Sequence, residues 1–104
     1  MMCAVAVRRI KPGSYEEFRK AWYHDPWLPR YEKALVLRNE DSPDHVMTMA
    51  FFDGSGEAYE AARDDPATMR AEADRLRRIA QWEERVLMSG VYELVEEVLP
   101  PNRA

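Results

Sequence analysis

The order of elements predicted along this chain is βαββαβ, which specifies an α+β domain: one four-stranded antiparallel sheet with two helices on one of its faces. Three observations predict it. Residues 2–10, 33–38, 45–53 and 85–95 alternate as strands, and two stretches between them carry helical spacing. All four strands place apolar side chains on both faces, although the helices can cover only one of the two.

The first strand sets Ala4, Ala6 and Ile10 against Cys3, Val5 and Val7, so neither face reads as a water face. Lys11-Pro12-Gly13 then breaks the pattern, and Ser14 followed by Glu17 matches the capping box that opens helices. Helix one turns Tyr15, Phe18, Ala21 and Trp22 inward and ends near Tyr23. Pro26 and Pro29 keep residues 24–30 out of helix, leaving a loop rich in rings. The second strand opposes Leu35 and Leu37 to Ala34 and Val36, and the third opposes Met47, Met49 and Phe51 to Val46, Ala50 and Phe52. The polar segment 39–44 between them is too short for a crossover and predicts a hairpin.

Asp53-Gly54-Ser55-Gly56 reads as a turn, with Ser55 capping a short helix through Ala58, Tyr59 and Ala62. Asp65-Pro66 is an N-cap with proline at the first helical position. It opens a helix of about sixteen residues with the expected buried stripe Met69, Ala73, Leu76 and Ala80. In the last strand Val86, Met88, Tyr92 and Leu94 oppose Leu87, Val91 and Val95; Pro100 and Pro101 end it, and the final residues are expected to fray.

At 104 residues the chain fits one domain, and 46% hydrophobic with 33% charged residues is a globular balance rather than a disordered one. Fifteen Lys and Arg against 19 Asp and Glu leave no general basic surface, which argues against nucleic acid or anionic lipid as a partner. Cys3 is the single cysteine, so no internal disulfide forms, and no apolar run suits a leader or a membrane span. A cytoplasmic location is the expectation.

A sheet face with about eight uncovered apolar side chains represents roughly 12 to 24 kcal/mol of gross burial, an upper bound because unfolded chains are partly compact. A self-complementary face of that kind closes most simply as a two-fold homodimer, two sheets meeting to form a barrel.

The βαββαβ order, the Pro12-Gly13 entry to helix one, Phe51-Phe52-Asp53 closing strand three, and Glu57-Ala58 followed by Asp65-Pro66 resemble antibiotic biosynthesis monooxygenase domains. These belong to the dimeric α/β-barrel superfamily, and the resemblance, which spans nearly the whole chain, implies a ferredoxin-like fold. It implies several activities: cofactor-independent oxygenation of aromatics, haem degradation, cyclisation, or none. The haem-degrading branch uses an Asn on strand one and a His on the last helix; strand one here reads Cys3-Ala4-Val5-Ala6-Val7, and residues 67–82 contain no histidine.

The densest chemistry lies in Trp22-Tyr23-His24-Asp25-Pro26-Trp27, continuing to Arg30 and Tyr31. His24 is the candidate catalytic base, able to take a proton from a phenol, with Asp25 as a local partner; equally, it suits a solvated residue at a helix C-terminus. Tyr92, beside Gly90, is the second candidate catalytic residue, an anion stabiliser alongside Arg38, and Gly90 suggests space for a ligand or a bulge. Trp22, Trp27 and Trp82 are candidate ring-stacking walls, and Arg38 a candidate substrate contact. Arg8 and Arg9 suit solvated strand ends or interface salt bridges as well as they suit an anion. His45 shares a face with Met47, Met49 and Phe51, and two histidines without a cysteine or carboxylate cluster give no metal site. Cys3, amid apolar neighbours, reads as packing.

The leading expectation is a cofactor-independent monooxygenase acting on a small hydroxylated aromatic, with no bound cofactor or metal. The alternative is a noncatalytic homodimer that binds a small ligand or has a structural role. A deep cavity with His24 or Tyr92 pointing inward favours the enzyme, and a filled interior favours the alternative. A cyclase or isomerase would need the same base and pocket.

Overall fold

The structure, a computed structural model, describes residues 1–102 of the chain. Its elements are β1 (Met2–Ile10), α1 (Tyr15–Trp22), β2 (Tyr31–Arg38), β3 (His45–Phe52), α2 (Gly56–Arg63), α3 (Pro66–Ala80) and β4 (Glu83–Glu93). The strands form one antiparallel sheet in the order β2-β3-β1-β4. With helices in both crossovers, this is the ferredoxin-like α+β arrangement expected from the sequence. The second crossover holds two helices, because Asp64 closes α2 and Pro66 can only begin a new helix.

Register sorts the side chains into two faces. Ala4 pairs with Ala50, Ala6 with Thr48 and Arg8 with Val46 across β1 and β3, while Ala34 and Val36 pair with Ala50 and Thr48 from β2. These residues lie under the helices. At one end of that face Ile10 and Val46 meet Phe18, Ala21 and Trp22 of α1 and Ile79 of α3, forming the buried core cluster. The other face carries Val5, Val7, Leu35, Leu37, Met47, Met49, Phe51, Met88 and Tyr92 in register, with no helix over it among the described residues. Leu35, Leu37 and Tyr92 stay exposed there.

Caps follow the sequence at two helices and depart from it at one. Ser55 Oγ accepts from the Ala58 N–H at 3.1 Å and Asp65 Oδ2 from the Thr68 N–H at 3.1 Å, each satisfying a first-turn donor. The expected capping box at Ser14 does not form. Its hydroxyl donates backward to the Lys11 carbonyl at 2.6 Å, closing the turn at Pro12-Gly13 instead.

The expected buried stripe of α3 is also corrected. Arg75 and Ile79 are buried, whereas Met69 is 58% and Leu76 48% exposed, and both flank a cavity mouth. A guanidinium can face inward there because Glu72, one turn earlier, neutralises it; apolar spacing alone does not register that pairing.

Two bulges matter for the site. Glu32 has no partner between Tyr31, opposite Phe52, and Lys33, opposite Phe51, so Tyr31 turns onto the helix side. Leu87 is likewise extra between Met88, opposite Val7, and Val86, opposite Arg8. The last strand ends at Glu93 rather than 95, and the C-terminal tip at residues 103–104, expected to fray, lies outside the described residues.

Candidate functional site

Small side chains on three strands create the site. Ala4 and Ala6 of β1, Thr48 and Ala50 of β3 and Ser89 of β4 adjoin in register on the helix side. Side chains this short do not reach the helices above them, and a cavity of about 820 Å³ remains between sheet and helices. That is within the about 300–1,000 Å³ range of small-molecule sites. The core cluster closes one end of this layer, and the Phe52, Tyr59 and Tyr31 rings close another.

The loop after α1 supplies the ring wall. The His24 imidazole stacks on the Trp27 indole at 4.5 Å between centroids, and Trp22 meets the imidazole edge-on at 5.3 Å. Tyr31 stands 5.7 Å from His24, and its hydroxyl lies 3.4 Å from that of Tyr59. Burial first, and then the bond to Tyr59, push the Tyr31 hydroxyl above its ordinary range, so it remains a protonated donor. A smaller hollow of about 260 Å³ lies beyond this wall, and Trp22, Trp27 and Tyr31 line both spaces.

His24 is 9% exposed and lines the large cavity. Burial, with the positive charge of Arg75 next in weight, pushes it down to about 4 against the pull of Glu72. The imidazole is therefore neutral at physiological pH and only weakly basic. Asp25, its sequence neighbour, is exposed, and the carboxylate whose charge bears on the ring belongs to Glu72.

Two guanidiniums face the same space. Arg75, 9% exposed, donates to both Glu72 carboxylate oxygens at 3.1 and 2.6 Å and to the Trp22 carbonyl at 3.3 Å. Burial opposes ionisation of Glu72, but its bonds to Arg75 outweigh that and hold its pKa below the usual carboxylate range. Arg8, 6% exposed, pairs with Glu83 at 2.8 Å. Among the described residues no three His, Cys, Asp or Glu side chains group as metal ligands, and no helix is long and apolar enough to cross a membrane.

Of the residues singled out in the sequence, His24, Trp22 and Trp27 come together at the cavity. Tyr92 does not join them. It pairs with Cys3 on the opposite face, is 52% exposed, and donates to Met88 Sδ at 3.6 Å, so within one chain it cannot share a ligand with His24. Its ring fills the space left by Gly90, where an added Cβ would sit 3.2 Å from it. Arg38 is exposed at the far end of β2, over the Tyr15 ring at 4.7 Å, with Nε donating to the Pro43 carbonyl. Trp82 packs on the core cluster. The residues that sequence reasoning missed are Tyr59, Glu72 and Arg75; Tyr31 stood at the end of the ring-rich segment, and Arg8 suited an anion no better than a strand end or an interface salt bridge. Arg8 was accessible by parity, since it alternates with Ala4 and Ala6.

No protein-family model matches the sequence, and no curated protein does. Solved structures do match. SnoaB, a cofactor-independent oxygenase from Streptomyces nogalater, superposes with a TM-score of 0.68 at 14% identity, over 95% of this chain and 96% of that one. A candidate antibiotic biosynthesis monooxygenase from Chloroflexus aurantiacus J-10-fl gives a TM-score of 0.66 at 15% identity, covering 93% and 95%. Another from Deinococcus radiodurans gives 0.65 at 15%, covering 96% and 98%. Identity at this level carries the fold and no more, and the fold of this chain is that of the antibiotic biosynthesis monooxygenase domains.

Proposed function

We propose that the protein is a cofactor-independent monooxygenase of small hydroxylated aromatics. The observation that carries this reading is the cavity itself: an open, ring-walled space whose buried base, His24, is neutral and lies beside the cationic Arg75. A flat substrate stacks against the wall of Trp22 and Trp27. His24 takes its phenolic proton, and the nearby guanidinium charge favours the resulting anion.

In the proposed reaction the phenolate passes one electron to dioxygen, and the radical pair joins at the ring carbon para to the oxygen. The peroxide anion takes the proton back from His24. Loss of the ring hydrogen as a proton, with cleavage of the O–O bond, leaves a quinone carbonyl and one water. One oxygen atom enters the product and one leaves as water, so dioxygen is the only oxidant required. The protein holds the substrate, moves the proton and limits water. The likeness to SnoaB supports this reading.

Oxygen-electrode assays with mono- and dihydroxynaphthalenes test it. The expected result is uptake above the spontaneous rate, one dioxygen per quinone, with His24→Gln lowering kcat by about 10²- to 10⁴-fold. Ala6→Leu, which builds into the cavity floor, should abolish the acceleration while the fold remains. No acceleration with any of these compounds overturns the reading and leaves a binding protein.

We also infer that the active unit is a homodimer joined through the helix-free sheet face. Support comes from the contiguous Val5, Leu35, Leu37, Met49 and Phe51 surface, on which Leu35 and Leu37 are exposed; large apolar patches of this kind are seldom left bare on stable monomers. A cytoplasmic location fits this reading of a small-molecule enzyme.

A further inference from the structure

We propose that Arg8 forms an anion subsite in the cavity, so that its preferred ligands are hydroxyaromatic carboxylates rather than neutral hydroxyaromatics. The inference rests on the reading of this cavity as a substrate pocket.

A guanidinium has five N–H donors in a planar fork. Arg8 Nε donates to Glu83 Oε2 at 2.8 Å, and Nη1 reaches Thr48 Oγ1 only at 3.4 Å, near the limit for a hydrogen bond. No partner is formed by Nη2 among the described residues. No buried side-chain nitrogen or oxygen is wholly enclosed without a partner there, so Nη2 is not sealed off, and Arg8 lines the cavity. Arg8 is nonetheless 6% exposed, and its nearest neighbours on that face in register, Ala6 and Val46, carry no side-chain acceptor. A spare donor beside so apolar a stretch of floor suits an acceptor that arrives from outside.

The geometry selects a carboxylate. Nη2 and the second N–H of Nη1 can meet its two oxygens, and such charge-assisted pairs are the strong ones. The charge of Arg75 disfavours that of Arg8, against the larger favourable effect of Glu83 and a smaller one of Glu72, and an anion near both guanidiniums adds to that relief. Arg75 has already given Nε and Nη2 to Glu72 and Nη1 to the Trp22 carbonyl, so it contributes mainly charge. His24, also under the influence of Arg75, stands toward the ring wall. A ligand would therefore lay its ring against Trp27 and its carboxylate at Arg8.

Isothermal titration with 1-hydroxy-2-naphthoate and 1-naphthol at neutral pH tests this. The naphthoate should bind at least about tenfold more tightly than the naphthol, the size of a charged hydrogen-bonded contact. Arg8→Met should abolish that preference and keep naphthol binding. Glu83→Gln, which loosens the competing hold on Arg8, should widen it, and this variant decides the matter if Arg8→Met does not fold. Equal affinities in the unaltered protein, a preference surviving Arg8→Met, or a preference narrowed by Glu83→Gln overturns the subsite. Oxygen uptake in the same samples separates the two readings: an Arg8-dependent preference without oxygen consumption overturns the oxygenase and leaves the subsite standing. Failure of both compounds to bind overturns both.

Discussion

The imidazole of His24 lies on the indole of Trp27 with ring centroids 4.5 Å apart and planes 26° from parallel. This contact takes His24 out of water and makes its proton affinity a property of the fold. Folded His24 titrates near about 4, below the about 6.5 of an unfolded histidine. The unfolded chain therefore binds the extra proton first. Stability should be full above about pH 6.5 and decline toward pH 4, by up to about 3 kcal/mol from this group. Urea denaturation at a series of pH values checks it. His24→Gln should flatten that slope, and an equally steep slope in the variant would refute the assignment.

Arg75 holds His24 down by charge, second in weight to burial. In Arg75→Gln the His24 pKa should rise, yet remain below the ordinary histidine value because the ring stays buried. Glu72→Gln should move it the other way, since that carboxylate favours the cation. Proton NMR titration of the imidazole reads both shifts, and the acid limb of any activity profile should follow them. Shifts of the reverse sign would mean that the three groups are not coupled as described.

Gly54 admits no side chain. A Cβ at that position would lie 2.7 Å from Cε1 of Phe52 and 3.1 Å from the Arg30 guanidinium carbon. Phe52 is fully buried and cannot give way, so Gly54→Ala should cost about 1–3 kcal/mol of stability. Thermal unfolding measures this. Gly13→Ala is the control for a strained backbone in open space: its φ is +72° and no atom lies near the added methyl.

Met49 stands between Val5 and Leu35 at the middle of the uncovered sheet face. Met49→Lys should convert a sedimenting dimer to a monomer at micromolar concentration while circular dichroism stays that of a folded α+β chain. If the unaltered protein already sediments as a monomer, the homodimer is wrong.

Sequence alone was enough for element order, the caps at Ser55 and Asp65, and the doubly apolar strands. Each depends on neighbours a few residues apart along the chain: an alternation of two, a side-chain oxygen three residues before an amide, a proline that cannot continue a helix. Tertiary structure decided the site. Alanines at 4, 6 and 50 become a cavity floor only when registers place them side by side, and no single strand encodes its neighbour's register. The bulge at Glu32 turned Tyr31 inward, and strand parity sent Tyr92 to the far face. Arg75 entered the interior because Glu72 and the Trp22 carbonyl satisfied it there, a balance of desolvation and pairing that hydrophobic periodicity does not carry.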